Sequence, residues 1–411
     1  MRKLAALVFL VACSRESTTN VVVLQPPSAA PDASSAPIVA AAKPAVELAV
    51  IGGDLVDLGA MKVVHSLTTD MVFASSVGGD TAYLYARLAA GGSELRAYDA
   101  TSGALRWSKP AVECWNIAAS SAGVFCGDSA GVHFFRRAGG ADKTVSLGAV
   151  SSITRLAGRV LALADTKLEA FDDSGASLGK TTTPVPADRN YRQSLDVGGA
   201  LACATRRSDV DTTVFCVDAS PRVVWSRVVP VPGGLLRQVD ADVTVVTSDL
   251  WSKTPESEVV RTSDGVALLH VAGVRFAAAL STRGTFDAAL TCAPDVALYD
   301  AKGTKKWTAK GTPFHDEALR ATRAGSAIVG AQYSPIATGT QLRAWDEASG
   351  ALVWTGNVDS LPISHSKYSN EVTLETRGKS ILLIGHESSQ VYAQTFDDAT
   401  GVRIASIVRP R

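Results

Sequence analysis

Leu95-Arg96-Ala97-Tyr98-Asp99-Ala100-Thr101-Ser102-Gly103 runs on to Trp107, and Leu342-Arg343-Ala344-Trp345-Asp346-Glu347-Ala348-Ser349-Gly350 runs on to Trp354 at the same spacing. In each stretch an aliphatic residue, a small alanine and an aromatic end a strand on a packed face. The aspartate then starts a turn by accepting backbone N–H bonds, and glycine supplies the left-handed position. The following strand carries a tryptophan, expected to cover the edge of the preceding layer. A lone sheet of this kind cannot bury both faces, so it stacks on copies of itself.

Working outward, looser copies appear. Leu168 to Gly175 contains Asp172, Val296 to Trp307 contains Asp300 and Gly303, and Val391 to Gly401 contains Asp397. Val214 to Trp225 keeps Asp218 and the tryptophan but has Pro221 in place of glycine. Asp264-Gly265 and the stretch around Phe134-Phe135 are eroded copies. Between them, short Val, Leu, Ala, Thr and aromatic runs alternate with Gly, Asp and Ser clusters, with no long amphipathic helix. The fold class expected is all-β: a β-propeller of about eight four-stranded antiparallel blades, with seven as the alternative count. Four strands per unit place blades near 62–109, 111–148, 150–181, 189–230, 235–271, 273–310, 316–357 and 363–409. The strand near Val46 to Leu58 is expected to pair with the last blade and close the ring.

The motif A-x-D-x-x-[ST]-G-x-x-x-W resembles the PQQ-like repeat family of β-propellers. That family includes the quinoprotein dehydrogenases and BamB-like outer-membrane assembly lipoproteins, and the resemblance covers about Val46 to Arg411. Quinoprotein dehydrogenases hold their cofactor with an adjacent-cysteine disulfide, a stacking tryptophan and a calcium site. This sequence has no adjacent cysteine pair, so the repeat is kept while the redox site is not, and no cofactor is expected. Trp107, Trp225, Trp307 and Trp354 read as blade-packing residues.

Arg2 and Lys3 precede an apolar run from Leu4 to Ala12, too short to span a bilayer and suited to a signal-peptide core. It ends Leu10-Val11-Ala12-Cys13, which resembles the lipobox of bacterial lipoproteins. By that resemblance residues 1–12 are removed and Cys13 is acylated. Ser14 stands where enterobacterial lipoproteins carry the aspartate that keeps them in the inner membrane, so the implied anchor is the outer membrane, with the domain facing the periplasm. Residues 13–45 are rich in Ala, Pro and Ser and read as a spacer. Residues 46–411 form the propeller domain.

The chain has 411 residues, 46% of them hydrophobic and 19% charged, enough for a large core and too apolar for disorder. Lys plus Arg and Asp plus Glu are each 40, so the formal net charge is zero. A nucleic-acid partner, which calls for a basic excess, is not expected. Arg136-Arg137 and Arg206-Arg207 read as solvated turn residues.

Of the other cysteines, Cys114 and Cys126 are symmetric about a turn at 118–123, and Cys203 and Cys216 about a turn at 208–211. A hairpin at each turn sets the two sulfurs opposite one another, so two disulfides are expected, which an exported chain retains. Cys292 reads as a buried thiol.

Catalytic candidates fare poorly. Gly127-Asp128-Ser129-Ala130-Gly131 matches G-x-S-x-G, but the hydrolase elbow leads into a helix, and here Val132 to Arg136 reads as a strand. His65, His133, His270, His315, His365 and His386 form no metal-ligand spacing, and His315-Asp316-Glu317 reads as a solvated loop. Asp240-Ala241-Asp242 and Asp209-Val210-Asp211 fall short of a calcium loop. No catalytic or metal residue is expected. The function expected is a monomeric, envelope-anchored scaffold that binds protein partners, in outer-membrane protein assembly by the family analogy. The alternative is a ligand-binding or enzymatic propeller with its site at the central channel. An apolar patch on the rim favours the first, and a polar, metal-ready channel the second.

Overall fold

Runs of three to nine residues, most of them apolar, fold as antiparallel strands paired with their neighbours in sequence. The computed structural model describes residues 46–410, apart from 111–112, 141, 185–193, 250–251, 294, 310–319, 335–338, 362–370 and 388–389. The signal, Cys13 and the spacer lie outside the described residues, as do His315-Asp316-Glu317 and His365.

Among the described residues nine sheets are stacked as blades, rather than the about eight expected. Blade I has three strands, Leu48–Ile51, Asp54–Asp57 and Lys62–Ser66. Blades II to IX have four each, over residues 71–110, 116–146, 150–182, 196–229, 235–272, 275–308, 320–357 and 371–410. In each four-stranded blade the first strand is innermost, lying beside the first strands of its neighbours, and the fourth lies on the rim.

The expected first blade at 62–109 is corrected: Lys62–Ser66 belongs to blade I, and blade II starts at Met71. Blade I is a repeat in disguise. Asp57 Oδ1 accepts the Gly59 and Ala60 amides at 2.9 and 3.0 Å, as Asp99 Oδ1 accepts those of Thr101 and Ser102 at 2.9 and 2.8 Å. Met61 takes the left-handed position with φ of 48°, where blade II has Gly103 at 73°, and His65 stands where blade II has Trp107. Its strands are thus the second, third and fourth of a standard blade, and among the described residues none takes the innermost place.

The ring closes by packing, not by pairing with the last blade as expected. Ala49, Ile51, Val56 and Leu58 pack on Leu382, Ile384, Ala393 and Ile407 of blade IX, while Val50 and Leu55 pack on Val77, Ala82 and Leu84 of blade II. Arg377 pairs with Glu47 at 2.7 Å and Arg409 with Asp54 across the same junction. Arg206, expected in a solvated turn, is 3% exposed. It bonds the Asp165 carbonyl and Thr183 of blade IV, and its guanidinium lies over the Phe215 ring.

Candidate functional site

Each motif aspartate caps its own turn. Asp172, Asp218 and Asp300 accept two backbone amides each through Oδ1, and Asp346 and Asp397 add the hydroxyls of Ser349 at 2.6 Å and Thr400 at 2.7 Å. These donors hold the carboxyls of Asp172, Asp300, Asp346 and Asp397 below their ordinary value, and Asp99 is lowered chiefly by the Arg106 guanidinium. A carboxyl with a depressed folded-state pKa contributes stability that is complete above its unfolded value and lost as pH falls through the folded one. The melting temperature is therefore expected to be level above about pH 5 and to fall below about pH 4. The fall should be shallower in Asp346→Asn; an identical acid limb in that variant would remove the caps as its cause.

The motif tryptophans cover the following blade, which corrects the expectation that they cover the preceding one. The Trp307 ring lies over Gly350 and the Trp354 ring over Gly401, with Trp225 over Gly265 and Trp107 beside Gly139. A Cβ on Gly350 would stand 2.6 Å from the Trp307 ring, so glycine there answers both to a φ of 71° and to the approach of the indole. Each indole Nε1 donates to the carbonyl that follows the first turn position: Arg137 at 3.0 Å, Thr262 at 2.7 Å, Glu347 at 2.8 Å and Asp398 at 3.1 Å. His65 packs the seam with blade II in a related way, its ring against Gly103, but its Nε2 lies 2.8 Å from the Thr101 carbonyl, one residue beyond the position the indoles use.

Seams without an aromatic on the outer strand find other donors. Between blades III and IV, Phe134 covers Gly175 and Ser120 Oγ donates to the Asp173 carbonyl at 2.9 Å. Between IV and V the size relation is inverted: Gly179 faces Pro221, and Arg159 donates to the Ala219 carbonyl at 2.9 Å. Charge also crosses the seams. Arg323 of blade VIII binds Glu347 at 2.6 Å and Asp287 of blade VII at 3.1 Å, and these carboxylates hold its guanidinium above its ordinary value. Burial pushes the Glu258 carboxyl up, against Arg227 of the preceding blade and His270.

Disulfides join Cys114 to Cys126 and Cys203 to Cys216. Cys203 and Cys216 are register partners with Cα atoms 4.0 Å apart. Cys114 is not the ladder partner of Cys126: it precedes the strand Asn116–Ala119, in which Ile117 takes that place. Cys292 is a fully buried thiol 3.5 Å from the Arg275 carbonyl.

Ser129 lies in the hairpin between Gly123–Gly127 and Gly131–Arg136, so a strand follows it. Sequence reasoning missed the relay beside it. His133 Nε2 bonds the Asp128 carboxylate at 2.7 Å, and its Nδ1 is 3.1 Å from Thr144 Oγ1. Asp128 also accepts the Ala130 and Gly131 amides, so both its oxygens brace the hairpin. Asp240 likewise caps its own turn through the Asp242 and Val243 amides. Among the described residues no three His, Cys, Asp or Glu side chains group to hold a metal ion.

The rim is where exposed apolar side chains collect. Val64, Leu105, Leu178, Val224, Val228, Leu352, Val353 and Ile404 all lie on outermost strands. The densest group spans blades VIII and IX, with Leu352 and Val353 each 54% exposed, Val402 64% and Ile404 61%. The two outer edges are side by side: Trp354 covers Gly401, and Arg403 of blade IX bonds the Asn357 carbonyl of blade VIII at 3.4 Å and Asp359 at 2.6 Å.

No protein-family model matches the sequence, and no curated protein matches it. Solved structures do. A crystal structure of the eukaryotic initiation factor superposes with a TM-score of 0.54 at 9% identity, over 88% of this chain and 95% of that one. BamB from Moraxella catarrhalis superposes with a TM-score of 0.42 at 13% identity, over 71% of this chain and 86% of that one. The first is a likeness of fold alone, and the second is too loose to carry an argument.

Proposed function

We propose that this propeller is a protein-binding scaffold of the bacterial envelope, tethered by a lipid on Cys13, that engages its partner at the rim. The exposed apolar group on blades VIII and IX carries the reading. Soluble surfaces scatter such residues singly, whereas Leu352, Val353 and Ile404 on two adjoining edge strands, with Val402 in the turn that leads into the second, mark an interaction surface. A partner strand or loop laid across them would gain apolar burial and backbone hydrogen bonds together. The partner class implied by the repeat resemblance is an outer-membrane barrel protein or its assembly machinery.

Crosslinking pull-down of the membrane-anchored protein tests this. Leu352→Glu with Val402→Glu changes only exposed positions, so the fold should persist with a stability change within about 0.5 kcal/mol. Discrete crosslinked partners are expected from the parent chain and at least tenfold less from the double variant. Cys13→Ala should lose them too, through loss of anchoring. Equal recovery from the rim variant would contradict the rim as the binding face.

A further inference from the structure

From blade I through blade IX, each seam joins a third-to-fourth strand turn to the preceding blade, through His65, a motif tryptophan, Phe134, Gly179 or Leu269. These turns therefore all lie at one end of the ring, and every outermost strand starts there. Thirteen large apolar side chains are exposed among the described residues, and eight of them stand at such a start or one residue from it. Four are Leu105, Leu178, Val224 and Val266, on blades II, IV, V and VI, and the other four are the group on blades VIII and IX. Val210 and Val228 are the two at the opposite end. The three remaining outer strands open on lysine: Lys62 in blade I, Lys143 in III and Lys305 in VII. The described chain also enters at this end, where the Glu47 carbonyl accepts the Leu58 amide of the blade I turn at 2.8 Å and Val46 is 53% exposed.

We infer that this end of the ring rests on a lipid bilayer, with the turns and the aliphatic belt together at headgroup depth. Aliphatic side chains gain by leaving water there, and a lysine lays its stem along the apolar surface while its ammonium reaches the phosphates. The point of chain entry favours a bilayer over other occupants, because residues 13–45 join the domain at the same end as the belt. A domain tethered through Cys13 meets the bilayer at high local concentration, so contacts too shallow to hold a free protein suffice. The inference rests on the anchored-scaffold reading and deepens it: the rim group on blades VIII and IX is set at membrane level, where its partner would be a protein embedded in that membrane.

Val224 and Val228 supply a depth ruler, since both are exposed on one face of one strand. They stand about 13 Å apart, more than the roughly 5–8 Å of a headgroup layer. A diazirine-bearing residue is placed singly at positions 105, 178, 224, 228 and 210, all exposed, so the fold should persist. Each protein is illuminated on phosphatidylcholine–phosphatidylglycerol vesicles with no other protein present. It is attached either by its native lipid or by a polyhistidine tag that replaces residues 1–13 and binds a nickel-chelating lipid. Adducts carrying the mass of a phospholipid are expected from 105, 178 and 224 at about fivefold or more the yield from 228 and 210. No lipid adducts from the three lower positions, or equal yields from both ends, would overturn the bilayer contact. Adducts between copies of the chain in place of lipid would overturn it in favour of self-association. The expected pattern on nickel-chelating lipid, with no attachment of the native preparation, would support the bilayer face while removing the anchor on Cys13, so the two readings fail separately.

Discussion

Trp307→Ala is expected to lower the stability of the folded chain by about 3–5 kcal/mol. The side chain is 7% exposed and packs with Leu298, Ile328 and Trp345 across the seam between blades VII and VIII. Truncation leaves a ring-sized cavity in a packed interior and orphans the Glu347 carbonyl, so transfer and hydrogen-bond losses add. Gly350→Ala attacks the same contact from the other side, through a Cβ 2.6 Å from the indole and a φ of 71°. Because both changes act on one contact, the double variant should be less destabilised than the sum of the singles. Denaturant titration of the three proteins measures this. A loss under about 1 kcal/mol for Trp307→Ala, or strict additivity, would show that the indole is not what joins the blades.

The second large effect lies in blade V. Cys203 and Cys216 are fully buried, and their disulfide closes a sequence separation of 13 residues. Chain-entropy arguments give about 3 kcal/mol for a loop of that size. Cys203→Ala with Cys216→Ala should lose roughly that amount. Reductant added to the native protein should leave the bridge intact, since no thiolate reaches a buried sulfur until the blade opens. Thiol titration with and without denaturant checks this; prompt reduction of the native chain would show that blade V is open to solvent.

The legible part of the fold was the part whose chemistry is local. Asp99, Asp346 and Asp397 announce their turns because a carboxylate at the last residue of a strand caps the amides of the turn that follows. Gly350 and Gly401 announce theirs because a left-handed residue is nearly always glycine. Blade I escaped because it breaks those identities while keeping the geometry. Met61 accepts the positive φ and His65 replaces the indole, so only Asp57 was left to read. The direction of the tryptophan contact was not legible either, since spacing along one blade does not say which neighbour a side chain leans on.

The scaffold reading and the rim that carries it meet most directly in photocrosslinking from single positions. A diazirine-bearing residue placed at Val353 or Ile404 in the anchored protein samples the blade VIII–IX edge, and one at Leu178 samples the distant edge of blade IV. Discrete protein adducts from 353 and 404 with none from 178 are the result predicted. No adducts from 353 and 404, or the same adducts from all three positions, would contradict a partner held at that edge.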